Sequence, residues 1–275
     1  MDPVEYDALL AQDEQHWWYR GRRRIIRAEL QRLELPAPAS CRVLDAGCGS
    51  GRTMDDLRAY GTVVGFDLNE AGVAAARARG HDDVRVSRIE ELPYEDESFD
   101  LLTSLDVIEH TPDDRRSLRE LWRVARPGAR LLVTVPAYPS LWSDHDVANQ
   151  HHRRYRRHGL LRAGEAAGWT PVASTYFNSI LLPPAAAVRL AQRLRRGGAA
   201  PTGGGTPALE STPAGLNRVL ELPLRLEAAL IYRGLSLPAG LSALAVFSKT
   251  LNGGGYSMTA ATRARASSPH QRSTM

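Results

Sequence analysis

Residues Val43-Leu44-Asp45-Ala46-Gly47-Cys48-Gly49-Ser50-Gly51 join a short apolar run to an acid and alternating glycines. Glycines at this spacing let the main chain turn tightly and approach a ligand, and a helix beginning behind them presents free N–H groups. A second apolar run, Thr62-Val63-Val64-Gly65-Phe66, ends in Asp67. That carboxylate lies about 20 residues beyond the glycine turn, where an acid can accept both hydroxyls of a ribose. The chemistry implied is nucleotide binding. A dinucleotide turn would read G-x-G-x-x-G, whereas these glycines read G-x-G-x-G with an acid two positions ahead of the first. A phosphate-binding loop would need a lysine after the turn, and none follows.

The pattern D-A-G-C-G-S-G resembles motif I of the class I S-adenosylmethionine-dependent methyltransferases, and the likeness extends over about residues 40 to 178. It implies S-adenosyl-L-methionine as cofactor. Its methionine end is expected over Asp45, Gly47, Cys48 and Gly49, and its ribose on Asp67. Arg88-Ile89-Glu90-Glu91-Leu92-Pro93-Tyr94 resembles the family's adenine-side loop, which usually reads D-A-x-x-L-P-F. The family's acid falls on Arg88, so no carboxylate faces the adenine amino group from that position. Adenine is expected instead on the Ile89 backbone, stacked against Leu68. Leu105-Asp106-Val107-Ile108-Glu109-His110 resembles the segment after strand four, where strand end, cofactor and substrate meet. Arg126-Pro127-Gly128-Ala129 resembles the turn into a fifth strand, expected over 130–135.

Two further stretches could carry chemistry. After the fifth strand come Leu141-Trp142-Ser143-Asp144-His145-Asp146 and then His151-His152-Arg153-Arg154-Tyr155. Together with His16-Trp17-Trp18 they resemble a bacterial subgroup of Methyltransf_11-like enzymes. Loops at the C-terminal edge of a parallel sheet are where ligands sit. Methyl transfer needs alignment, and a base where the nucleophile is a hydroxyl or ammonium. A neutral histidine suits that role: His145 ranks first and His152 second, with Asp146 or Tyr155 orienting. A purely structural role for this loop is the competing reading. No metal is expected, because no second carboxylate or cysteine stands at a recognisable ligand spacing. In the other stretch, Trp18 and Arg20 (or Arg24) are expected to close over the cofactor, Arg20 reaching its carboxylate. The alternative is that the tryptophans pack on the core while the arginines are solvated.

These residues demand a particular scaffold. Alternating strand and helix patterns over residues 36–178 imply a doubly wound, Rossmann-like, mostly parallel α/β sheet. The family resemblance implies seven strands, the last of them, at 242–248, antiparallel. An N-terminal helical lid (1–35) is expected as two helices, over 4–11 and 17–33. A helical insertion precedes the last strand in segment 179–250. It reads either as a cap around a substrate pocket or as basic amphipathic helices on a membrane surface. The glycine-rich run 197–205 reads as a flexible loop, and the tail 251–275 as disordered.

Composition sets outer bounds. The 275 residues carry a net charge of +4, and their 35 basic residues include one lysine, Lys249. That arginine bias fits base composition better than nucleic-acid binding. No apolar run reaches the ~18 residues that a membrane-spanning helix needs. An acidic start, Met1-Asp2-Pro3-Val4-Glu5, argues against a signal peptide, and the two cysteines, Cys41 and Cys48, are expected as reduced thiols in a cytoplasmic protein. Three classes remain: a methyltransferase for a small, hydrophobic or lipid-linked acceptor, one for RNA or protein, and a repurposed cofactor-binding scaffold. The first leads, since no RNA-binding appendage and no N-P-P-Y signature is present.

Overall fold

The structure, a computed structural model, describes residues 16–195 and 214–250. The helix expected over 4–11, the 197–205 loop and the 251–275 tail lie outside the described residues. Strands β1 (Arg42–Ala46), β2 (Thr62–Asp67), β3 (Val84–Val86), β4 (Phe99–Leu105), β5 (Ala125–Pro136), β6 (Thr170–Phe177) and β7 (Ser242–Ser248) form one seven-stranded sheet. Their order is β3-β2-β1-β4-β5-β7-β6, with β7 antiparallel between β5 and β6 and the other pairings parallel. This is the expected Rossmann-like arrangement. The chain reverses its direction of winding between β1 and β4, which opens a crevice at their C-terminal ends.

Period-two alternation divides the central strands between two cores. Leu101, Leu132, Leu244 and Val246 face one layer, where they meet Ile25, Ile26 and Leu30 of helix α1 (Trp17–Leu30) and Leu224 and Ile231 of α8 (Ala214–Tyr232). Leu102, Leu131 and Phe247 face the other, against Leu118 and Leu121 of α4 (Asp114–Val124) and Leu160 of α6 (Arg157–Ala166). Both faces are covered, so the strands read as near-continuous apolar runs. Helices α2 (Arg52–Leu57) and α3 (Glu70–Ala78) complete the β1–β2–β3 half, while α5 (Asp144–Ala148) and α7 (Leu182–Arg195) follow β5 and β6.

Two element bounds differ from expectation. Helix α1 stops at Leu30, short of position 33. Strand β5 begins at Ala125 because Phe99 pairs with Ala125 and Leu101 with Arg130, so that Arg126-Pro127-Gly128 form a bulge within the strand rather than a turn before it. Gly128 takes φ +86° there, a conformation glycine adopts without strain.

The N-terminal helix is docked, not loose. The His16 side chain caps it by accepting from the Trp18 N–H (3.3 Å), and the Trp17 N–H donates to Asn217 Oδ1 of α8 (3.0 Å). Trp18 stacks on Phe177 with ring centroids 6.1 Å apart. Gly21 lets α1 and α8 approach so closely that a Cβ there would overlap the Leu224 side chain. Gly21→Val should therefore destabilise the fold by about 1–3 kcal/mol, the usual cost of overpacking a close contact. Denaturant titration measures it, and an unchanged midpoint would mean that α1 is held loosely.

Candidate functional site

A cavity of about 850 Å³ opens at the C-terminal ends of β1, β2 and β4. Gly47 (φ +76°) and Gly49 (φ +51°) turn the main chain across its floor. A Cβ on Gly47 would collide with the Val107 side chain, so the glycine turn packs directly on the post-β4 segment. Asp67, at the end of β2, accepts from the Gly49 N–H and the Asn69 N–H (2.8 Å each). Burial raises its pKa above the ordinary carboxylate value. Asp45 accepts from Thr103 Oγ1 through one oxygen (2.6 Å), and among the described residues its other oxygen has no hydrogen-bond partner. Burial pushes the Asp45 carboxyl up to about 6. Burial likewise raises the Cys48 thiol far above its usual value, so Cys48 lines the cavity as a neutral thiol. Leu68, 64 % exposed, stands with Ser87, Arg88 and Ile89 at the far end. The Arg88 side chain turns to Glu90, 3.4 Å away.

At the opposite end the wall comes from α1, the post-β4 turn and the region after β5. Trp18, Tyr19 and Arg22 project from α1 into the cavity. Arg22 pairs with Asp106 (2.7 Å), a non-glycine residue at φ +59°. Such strain in a cavity wall is retained where the surrounding structure fixes it. Leu105, Glu109, His110, His145, His151 and His152 complete this end. Burial lowers His110 and His145 to about 4, so both are neutral imidazoles near pH 7. Beneath them lies Asp146, which is fully buried. It accepts from the Ser143 N–H (2.8 Å), His151 Nδ1 (2.9 Å) and Arg154 Nε (2.6 Å). Burial opposes its charge, but hydrogen bonds from His151 and Arg154 outweigh that and hold its carboxyl well below the usual range.

Several placements correct the sequence reading. His145 sits on the short helix α5 rather than in a loop, because Ser143 and Asp146 form a reciprocal capping box. Asp146 orients His151, not His145. Tyr155 does not line the cavity; it is buried, and its hydroxyl donates to Asp114 Oδ2 (2.6 Å). His152 lines the cavity but is exposed. Arg20 and Arg24 reach neither solvent alone nor the cavity: both pair with buried Glu221 of α8, at 3.2 and 2.7 Å. Arg22 is the α1 cation at the site. The register was the signal missed: Arg22 of the arginine run faces the strand ends, Arg20 and Arg24 face α8, and Arg23 faces Asp56 of α2. Among the described residues of segment 179–240, none lines the cavity. No described helix is long and apolar enough to cross a membrane.

Comparison with known proteins matches this geometry. Residues 44–133 match the family model described as a methyltransferase domain. The chain is 33% identical over 176 residues to the demethylmenaquinone methyltransferase of Roseiflexus sp. (strain RS-1), covering 60% of this chain and 71% of that protein. The chain belongs to the class I S-adenosylmethionine-dependent methyltransferases. It is also 41% identical over 112 residues to the ubiquinone biosynthesis O-methyltransferase of Hahella chejuensis, covering 38% of this chain and 46% of the relative. It thus spans about half the length of that relative. Among solved structures, geranyl diphosphate C-methyltransferase from Streptomyces coelicolor A3(2) superposes with a TM-score of 0.52 at 20% identity, covering 81% of this chain and 78% of the other, a likeness of fold alone.

The methyltransferase cavity fits its cofactor on its own terms. The glycine turn leaves room that a Cβ would fill, and Asp67 stands where ribose hydroxyls would reach it. The unpartnered oxygen of Asp45 is a buried acceptor facing a region where a cationic amino group would be stabilised. That oxygen yields a pH dependence. Asp45 is protonated below about 6 in the ligand-free protein. A bound cation favours the carboxylate, so cofactor affinity should rise about tenfold from pH 5 to pH 7 and then level off. Asp45→Asn should flatten that slope in calorimetry. An unchanged slope in the variant would place the titrating group elsewhere.

Proposed function

We propose that this chain transfers a methyl group from S-adenosylmethionine to a small acceptor, through oxygen or nitrogen. The observation that carries the reading is one continuous cavity with a nucleoside end at Asp67 and Leu68 and an imidazole-rich end at His145 and His151. Its volume of about 850 Å³ falls within the range of small-molecule sites, and both ends share a single hollow. Relatives named for ubiquinone biosynthesis, demethylmenaquinone and trans-aconitate support a small acceptor. A hydrophobic or lipid-linked acceptor agrees with the aromatic wall of Trp18 and Tyr19.

The cofactor supplies a methyl carbon already activated by a sulfonium, so the chain's residues have to align, shield and deprotonate. Asp67 and the Gly47–Gly49 turn fix the nucleoside and methionine portions. Arg22, held by Asp106 at 2.7 Å, is the α1 cation available to a carboxylate. The aromatic faces of Trp18 and Tyr19 suit a neighbouring positive charge and exclude water. His145, neutral and lining the cavity, is the proposed proton acceptor for a hydroxyl or ammonium nucleophile.

The test is transfer of label from the methyl group of S-adenosylmethionine into small molecules of an extract. Label should appear in a small product, and His145→Ala should reduce its rate about 10²–10⁴-fold. His152→Ala is the control and should have less effect. Label only in protein or RNA would overturn the small-acceptor reading, and a greater loss in His152→Ala would move the base.

A further inference from the structure

The post-β4 turn and the segment after α5 bring together three groups that are separated in sequence. One ligand atom each from Glu109, His110 and His151 lies within 4.8 Å of the others. Glu109 is fully buried, and among the described residues no neighbouring residue donates to either of its oxygens. An isolated buried carboxylate is costly unless it meets a proton or a cation. The adjacent Asp106 adds negative charge to the same corner, while Arg22 and Arg154 bring positive charge to it.

Both imidazoles are turned as ligands are turned. His151 Nδ1 contacts Asp146 Oδ1 at 2.9 Å, which leaves Nε2 for the cavity. Asp146 is fixed in turn by Arg154 and Ser143, giving a carboxylate–histidine pair of the kind that orients a metal-bound imidazole. His110 is hydrogen-bonded to the Asn149 backbone and meets the His151 ring edge-on, with centroids 4.5 Å apart. Ligands on one tetrahedral ion with bonds of about 2.1 Å lie about 3.4 Å apart, so side-chain movement of about an ångström would close the set.

We infer that Glu109, His110 and His151 form a site for a divalent transition cation at the acceptor end of the cavity. Two imidazoles and one carboxylate suit Mn²⁺, Fe²⁺, Co²⁺ or Zn²⁺ better than Mg²⁺ or Ca²⁺. Three protein ligands leave positions open toward the cavity. A hydroxyl acceptor coordinated there becomes a stronger acid and gives its proton to His145, and its oxygen lone pair is aimed at the methyl carbon. The new O–C bond forms as the C–S bond of the sulfonium breaks, leaving a neutral thioether. This catalytic use rests on the methyltransferase reading; the cation site does not.

The full chain, freed of metal by chelation, would be titrated with Co²⁺ by calorimetry and visible absorption, and with Mn²⁺ by electron paramagnetic resonance. One ion should bind per chain. Glu109→Gln and His151→Ala should each weaken Co²⁺ binding at least 100-fold, while His152→Ala should bind as the parent does. All variants are checked by circular dichroism and by binding of S-adenosylhomocysteine, which should stay within threefold. If Glu109→Gln fails to fold, His110→Ala and His151→Ala carry the test. Absence of one-to-one binding in the parent, or unchanged binding in the folded variants, would overturn the site. Loss of S-adenosylhomocysteine binding in the parent, with Co²⁺ binding intact, would instead count against the methyltransferase reading.

Discussion

Close packing of the glycine turn against its neighbours at the end of β1 governs everything else in this molecule. Gly47 presses on Val107 where a Cβ would not fit, and the Gly49 N–H is held by Asp67 at 2.8 Å. The first contact joins the glycine turn to the segment that carries Asp106, Glu109 and His110. The second joins it to the end of β2. The nucleoside end and the acceptor end are thus fixed to one glycine turn. That turn lies in the crevice where the parallel sheet reverses its winding between β1 and β4.

A second constraint works from below. Asp146 is buried and charged, and it collects Ser143, His151 and Arg154 around itself. Arg154 also donates to the Ala137 carbonyl (3.1 Å), tying the cluster to the end of β5. A network of this kind is strong only when every member is satisfied. Its effect is to hold His151 rigidly against His110. Groups that bear chemistry are held by groups that do not.

Motif-bearing parts were legible in the sequence because they are local. Asp45, Gly47, Gly49 and Asp67 lie on two adjacent strand ends and the turn between them, so spacing alone places them together. The mostly parallel sheet followed from the alternation of strand and helix patterns, and the antiparallel β7 from the family resemblance. Other features were not legible, since they depend on contacts between distant segments. Nothing near Arg20 or Arg24 in sequence announces Glu221, about 200 positions away, as their partner. Likewise, Tyr155 and Asp146 look equivalent in a loop of histidines and arginines. Only the fold sends Tyr155 to Asp114 and Asp146 to His151. The Glu109–His110–His151 cluster was missed for the same reason, as its third member comes from another segment.

The central claim is that the cofactor lies across the strand ends at the β1–β4 reversal, spanning the glycine turn, Asp67 and the post-β4 segment. Amide hydrogen exchange with and without S-adenosylhomocysteine tests it directly. Peptides covering 45–51, 67–69, 87–90 and 105–110 should exchange more slowly when the ligand is present, with no comparable change in α6 or in the outer face of α8. Protection absent from the first two peptides, or centred on α7 and α8, would contradict the account.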